Sequence, residues 1–534
     1  MRWLVLIVCL IAPCWAEQSH HHELTDQEIG SVHFVTSCAK QNEAQFNHAV
    51  ALLHSFQYEQ ARQAFSDVFR RDPDCAMAYW GVAMTHYHGL WGNGDANAGR
   101  AALQQARSAA QANSRTSPRE KRYIEGLGEI YAQDNRGGAA QAIAFEQKMA
   151  ALQAAYPDDT EAAIFHALSL SITAAKTDRT FANQKKCGEI LEPVLHRLPN
   201  HPGVAHYLIH CYDNPVLAES GLQAARTYAR IAPASAHANH MPSHIFTRVG
   251  SWRESIDSNR RSAELAAAAE PESHNGEARD QRLHAMDYLE YAYLQSGQMK
   301  QAQAVLDQMN SLSPVSGLTL TGDYALAAIP ARQAIEAGDW TKASGLSVRR
   351  EGVPWAQAVS WLAIGIANAH LKDSARATQS EHTLASLRDA AARSGDSYWS
   401  NQIEVQRREV AACNQQQQGK STEAILMMRS AADLEESMDK HAVTPGAIVP
   451  AREMLAQMLA QANRPKEAAV EYQAVLKLAP NRFNALYGAA QAAAAASNPV
   501  AAQEYFRKLT EIAVGDERPE VLEARKALAT TAMK

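Results

Sequence analysis

Alternating apolar and polar runs of the kind that half-bury a β-strand are almost missing from this chain. Instead, segments of roughly 12 to 20 residues carry apolar side chains at intervals of three and four, which places them on one face of an α-helix. Short turns containing Gly, Asn, Asp or Pro separate these segments, and such residues end helices. The pattern predicts an all-α fold.

The helices also repeat. In "PAREMLAQMLAQANRPKEAAVEYQAVLKLAP", Leu455 and Ala456 precede Ala468, Tyr472 and Pro480, and Ala489, Ala490, Ala502 and Phe506 take up the same pattern. Ala468 and Ala502, like Tyr472 and Phe506, stand about 34 residues apart. "YEQARQAFSDVFRRDPDCAMAYWGVAM" supplies Ala61, Phe65 and Pro73, with Tyr79 opening the next helix, and "SGQMKQAQAVL" and "QGKSTEAILMM" repeat the turn into a second helix. Small residues let antiparallel helices approach, an aromatic fills the gap to the next pair, and proline ends the second helix. These residues resemble the tetratricopeptide repeat (TPR) family, over about residues 42 to 516.

The resemblance implies a TPR-like helical-hairpin solenoid, a right-handed superhelix whose first-helix positions 2, 5, 9, 12 and 13 line a concave groove. The less regular stretch "DQMNSLSPVSGLTLTGD" suggests a linker at 307–323 between solenoid halves at 42–306 and 324–534, after an N-terminal tail or cap at 17–41.

Against this background two stretches stand out, "HPGVAHYLIHCYDNP" and "AHANHMPSHIFTRVGSW". Histidine makes up 21 of 534 residues, so about two would fall between 201 and 244 by composition alone, where six are found. With Pro233 at repeat position 32, His206, His210 and Asp213 occupy positions 5, 9 and 12. Phasing the next repeat on Gly250 places His237, His240 and His244 at 2, 5 and 9, and phasing the following one on Gly297 does the same for His284, Asp287 and Tyr291. Each set shares one helical face.

Two histidines at i and i+4 can bring imidazole nitrogens onto one ion. His206 with His210 is such a pair, and His237, His240, His244 and His284 are further candidate ligands, with Asp213 and Asp287 as ligands or orienting groups. Nitrogen and carboxylate donors suit a divalent transition metal such as Zn, Fe, Cu or Ni rather than Ca or Mg. The residues do not choose among these, nor between a binding and a catalytic site. Pro242 complicates the picture. It is expected to push Met241 toward extended geometry and to kink or delay the helix, so that His240 need not share a face with His244. Beside the metal or small-ligand site stand three other readings: a scaffold binding a protein or peptide in the groove, a histidine cluster responding to pH, and an irregular helix joint with no chemical role.

Other candidates are weaker. His54, His88 and Trp80 fall at groove positions and, with Tyr291, are candidate ligand contacts, against a plain packing role. "KHAVTPGAIVPARE" is a broken joint read as a helix connection, and "SHHHEL" near the N-terminus is read as a tail.

Composition narrows the setting. Apolar residues make up 46% and charged ones 20% of the chain, enough for a large core. The opening "MRWLVLIVCLIAPCWA" reads as a signal peptide over residues 1–16, which predicts export to the periplasm or medium. No later run is long enough for a transmembrane helix. Cys38, Cys75, Cys187, Cys211 and Cys413 then remain, an odd number that admits one or two disulfides. A net charge of −6 without a basic stripe argues against nucleic acid. There is no phosphate loop, nucleophile elbow, H-E-x-x-H or dinucleotide fingerprint. Segments such as "HMPSHIFTRVG" and "PNRFNALYGAA" resemble an exported, histidine-rich subgroup of bacterial TPR proteins, which implies a fold more than an activity.

Overall fold

The computed structural model describes residues 24–90, 94–273, 276–314, 318–349 and 352–532. The signal peptide expected at 1–16, the histidines of "SHHHEL" and the middle of the linker expected at 307–323 lie outside the described residues. Among those described, every regular element is a helix, and none is long and apolar enough to cross a membrane.

The chain is a TPR-like helical-hairpin solenoid, and its packing shows why the sequence repeats. Phe65 and Tyr472 are buried aromatics on second helices. Sixteen positions after each comes a glycine, Gly81 or Gly488, where a Cβ would lie 2.4 Å from the Phe65 ring or 2.2 Å from that of Tyr472. The aromatic lies where the next helix has no side chain, so the same closure serves both ends of the chain. Ala468 and Ala502 are buried on successive second helices, as the spacing predicts.

Before the first repeat, Phe34 packs edge-on against Phe46 and Trp80, at 5.7 and 5.9 Å between ring centroids. Disulfides join Cys38 to Cys75 and Cys187 to Cys211, leaving Cys413 free and buried. Around the expected linker, helix continues to Ser311 and resumes at Leu320. The carboxylate of Asp280 anchors the second start by accepting from the Thr319 and Gly322 amides at 2.8 and 2.9 Å.

Seven helices position the histidines: α1 (Glu43–His54), α2 (Thr160–Thr173), α3 (Pro202–Tyr212), α4 (Ala236–His240), α5 (Pro242–Val249), α6 (Trp252–Ala269) and α7 (Glu277–Gln295). The expectation for Met241 is corrected here. It is helical, at φ −52° and ψ −38°, and donates its amide to the His237 carbonyl at 2.9 Å. Pro242 opens α5 at the first turn, where a missing N–H needs no partner. So α4 and α5 run on as one bent rod, and His240 and His244 keep a common face.

The C-terminal half returns onto the middle of the chain. Gly250 is left-handed at φ 70°, and a Cβ there would lie 2.3 Å from the Pro480 carbonyl oxygen. The Trp252 indole donates to the Asn481 carbonyl at 2.9 Å, and the Phe483 amide to Gln295 Oε1 at 2.9 Å. Buried Arg482 pairs with Glu453 at 2.7 Å and also with Glu336. This return carries the joint at 438–449 across the histidine face: Tyr288 directs its hydroxyl at the Ala442 and Thr444 carbonyls, at 2.9 and 3.0 Å.

Candidate metal centre

The six histidines form two triads. On α3, His206 and His210 are one turn apart with their Nε2 atoms 3.0 Å from each other, and His237 on α4 brings its Nε2 to 2.9 Å from that of His206. In the second triad His240 ends α4 and His244 lies on α5, their Nε2 atoms 3.0 Å apart. His284 on α7 completes it, its ring 4.3 Å from that of His240. Within each triad the candidate ligand nitrogens all lie within 4.8 Å of one another. Three nitrogens at about 2.1 Å from one ion in tetrahedral directions would stand about 3.4 Å apart.

The triads share a wall. Helix α4 supplies a ring to each, and the rings of His210 and His244 approach to 6.5 Å across the boundary.

Hydrogen bonding at the far nitrogens fixes which way three rings present their lone pairs. His206 Nδ1 donates to the His54 carbonyl at 2.6 Å. His240 Nδ1 donates to Asn259 Oδ1 at 2.7 Å, with the Asn259 amide nitrogen donating to the Ser255 carbonyl. His244 Nδ1 donates to Asp213 Oδ2 at 2.9 Å. In a neutral imidazole whose Nδ1 carries the proton, Nε2 is an acceptor only. His240 and His244 therefore face each other at 3.0 Å with two lone pairs and no proton between them. His206 likewise offers a lone pair to both His210 and His237, which can supply one hydrogen bond and not two.

Protonation is a poor remedy, because burial holds all six imidazoles below their ordinary pKa, and neighbouring imidazoles press most of them lower. For His244, burial is partly offset by Asp213. Burial would raise the Asp213 carboxyl, but Lys440, Arg248 and His244 outweigh it and keep the group ionised. Lys440 is pulled down to about 8 by burial, against the pull of Asp213.

Phe56 closes one side of the first triad, its ring 4.4 Å from His206 and 5.3 Å from His237. Of the six rings, only His210 is half-buried rather than buried.

The other sequence candidates lie elsewhere. Asp213 stands behind His244, bonded to Arg248 at 2.7 Å and facing Lys440 at 3.4 Å, so it orients a ring rather than joining a triad. Asp287 points to the buried guanidinium of Arg332, which claims it as a counter-ion. Tyr291 lines a cavity of about 180 Å³ bordered by the 438–449 joint, with Arg248, Tyr398, Lys440 and Thr444. Trp80 is core, packed on Tyr123 and Phe165. His88 stacks on Tyr58 at 4.1 Å between ring centroids.

His54 belongs to a different group. Its Nε2 and that of His201 each donate to one oxygen of Glu161 on α2, at 2.9 and 2.8 Å, and its Nδ1 accepts from the Tyr207 hydroxyl at 2.9 Å. Both carboxylate oxygens are engaged, so these contacts close as a hydrogen-bond network without an ion. Its role for the triads is to support the α1 end that offers its carbonyl to His206.

Sequence reasoning missed Phe56, Asn259, Tyr288, Arg248 and Lys440. Two were within reach of helical spacing: Tyr288 follows His284, and Arg248 follows His244, by four residues on the same face. The others arrive through tertiary packing.

No protein-family model matches the chain, and no curated protein does either. Solved structures do. A human IFIT1 dimer with m7Gppp-AAAA aligns over 82% of this chain and 90% of its own at 12% identity and a TM-score of 0.32. Yeast Tom70 aligns over 92% and 96% at 12% identity and a TM-score of 0.31. The TPR domain of P58(IPK) aligns over 70% and 99% at 15% identity and a TM-score of 0.22.

Proposed function

We propose that this chain is a metalloprotein that holds two transition-metal ions side by side, each on one histidine triad. The observation that supports the reading best is the pair of nitrogens on His240 and His244, both acceptors at 3.0 Å, for which a bound cation supplies the attraction that two neutral rings lack. The bonds at the opposite nitrogens are those that orient metal-binding imidazoles: a carbonyl, an amide oxygen and a carboxylate. Three donors per ion leave a position open for a further ligand. The two disulfides support export to an oxidising compartment. A peptide held against these histidines is the less favoured reading, since the rings are largely buried and the 438–449 joint lies over them.

Elemental analysis of the full-length protein, purified without an affinity tag and with His20, His21 and His22 replaced by Ala, tests this. Two ions per chain are expected, with His206→Ala and His240→Ala each losing one. A folded protein that retains no metal after equilibration with Zn, Cu, Fe or Ni salts would overturn the proposal.

A further inference from the structure

We infer that the paired sites take copper(I) and that the two ions together bind one molecule of dioxygen as a bridging peroxide. The inference rests on the two-ion reading above and adds the metal and its ligand.

The donor set argues for a low ionic charge. All six candidate ligands are imidazoles, which carry no charge when they bind a metal, and no carboxylate enters either triad. The two carboxylates expected as ligands are committed, Asp213 to His244, Arg248 and Lys440, and Asp287 to Arg332. Arg248 and Lys440 pair with Asp213 and Asp439, so that cluster has no spare negative charge to offer an ion. Two divalent ions would place four positive charges among buried rings with no anion from the protein, which a low-polarity interior opposes. Two copper(I) ions place only two there, and copper is among the metals that imidazole suits, so the lower charge decides the choice. Three nitrogen donors are also a coordination number that copper(I) accepts without a further ligand.

The arrangement of the triads argues for dioxygen. Three donors leave each ion a position for a further ligand, and the triads adjoin through α4 and through the rings of His210 and His244, 6.5 Å apart. When oxygen enters between the ions, each copper(I) gives up one electron and becomes copper(II). The dioxygen gains both electrons and becomes peroxide, with its O–O single bond intact and each oxygen bonded to copper. No proton is taken up and none is released. The charge within the site is unchanged by the step, since two copper(II) ions and one peroxide carry the same net charge as two copper(I) ions. A buried site that resists a gain in charge therefore favours this transfer over loss of electrons to an outside acceptor, which would leave two uncompensated copper(II) ions. Dioxygen is small and apolar and suits the enclosure by Phe56, while half-buried His210 marks the side nearest solvent.

The test is to load the full-length, tag-free protein with copper(I) under argon, count the copper, and admit air while recording absorption and electron paramagnetic resonance. Two copper ions per chain should give a new near-ultraviolet band on oxygenation, no paramagnetic signal from the coupled pair, and loss of the band on removing oxygen. His284→Asn, which dismantles one triad with little change in size, should lose the band. Should that variant fail to fold, the wild-type protein carrying a single copper equivalent serves as the comparison. Two bound coppers that stay colourless in air, or that oxidise to a signal accounting for all the copper, would refute the inference. Two zinc ions bound in place of copper(I) would refute it too, yet leave the two-ion reading standing. Failure to bind any metal would defeat both.

Discussion

Asp213 accepts the Nδ1 proton of His244 at 2.9 Å across the step from one repeat to the next. The same carboxylate takes Arg248 and Lys440, and Arg248 reaches Asp439 at 3.1 Å, so one acid group ties a ligand candidate to the joint that covers it.

Asp213→Asn keeps the shape of the side chain and removes its charge. The His244 ring then loses an anionic partner that favours its ligating tautomer. Affinity of the second triad for metal is expected to fall about 10- to 100-fold, the usual cost of losing such an orienting group. Competition with a chromophoric chelator reads this out, and an unchanged affinity would show that His244 needs no help from Asp213.

Acid should destabilise the metal-free protein. Burial depresses the folded-state pKa of all six imidazoles below the unfolded value of about 6.5. The unfolded chain therefore binds more protons as pH falls below that value. Stability is full above about pH 6.5 and declines below it, by up to about 1.4 kcal/mol per pH unit for each histidine. Thermal melts of chelator-treated protein between neutral pH and pH 5.5 should show a steep fall in Tm, and bound metal should lessen the fall by keeping the rings deprotonated. A flat Tm over that range would mean that the rings are not held neutral by the fold.

Glu161 holds a histidine group apart from the two triads. Glu161→Ala would leave the buried Nε2–H groups of His54 and His201 without an acceptor, at a cost of about 1–3 kcal/mol each. The number of metal ions per chain should not change. If wild-type protein bound a third ion that this variant lost, the Glu161 group would be a metal site as well.

Gly250 tests the return of the C-terminal half. An alanine there would have to adopt φ 70° with its methyl group against the Pro480 carbonyl. Gly250→Ala should loosen this contact and cost upwards of about 1 kcal/mol, with faster proteolytic cutting near the 438–449 joint. Equal stability and equal cutting would show that the joint is held without this contact.

The local content of the structure could be read from the residues. Periods of three and four gave helices, the alignment of Tyr472 with Phe506 gave the hairpin repeat, and spacing alone put His206 with His210 on one face. Those relations act within one helix or between neighbours in sequence, where backbone geometry dictates direction. The sequence could not say that the histidines divide into two triads, because that depends on how much each hairpin turns against the next. Met241 was misjudged because the general effect of proline on its predecessor yields where proline opens a new helical turn. Asp287 sat at the right register position for a ligand, yet its direction was decided by Arg332, which lies on another helix. Asn259, Phe56 and Lys440 entered only through packing between hairpins, and Lys440 through the return of the C-terminal half. The sequence by itself determined the helices, their repeat and a histidine-bearing face. Tertiary structure decided which nitrogens meet, since the sum of small rotations between successive hairpins sets those distances and no local rule fixes that sum.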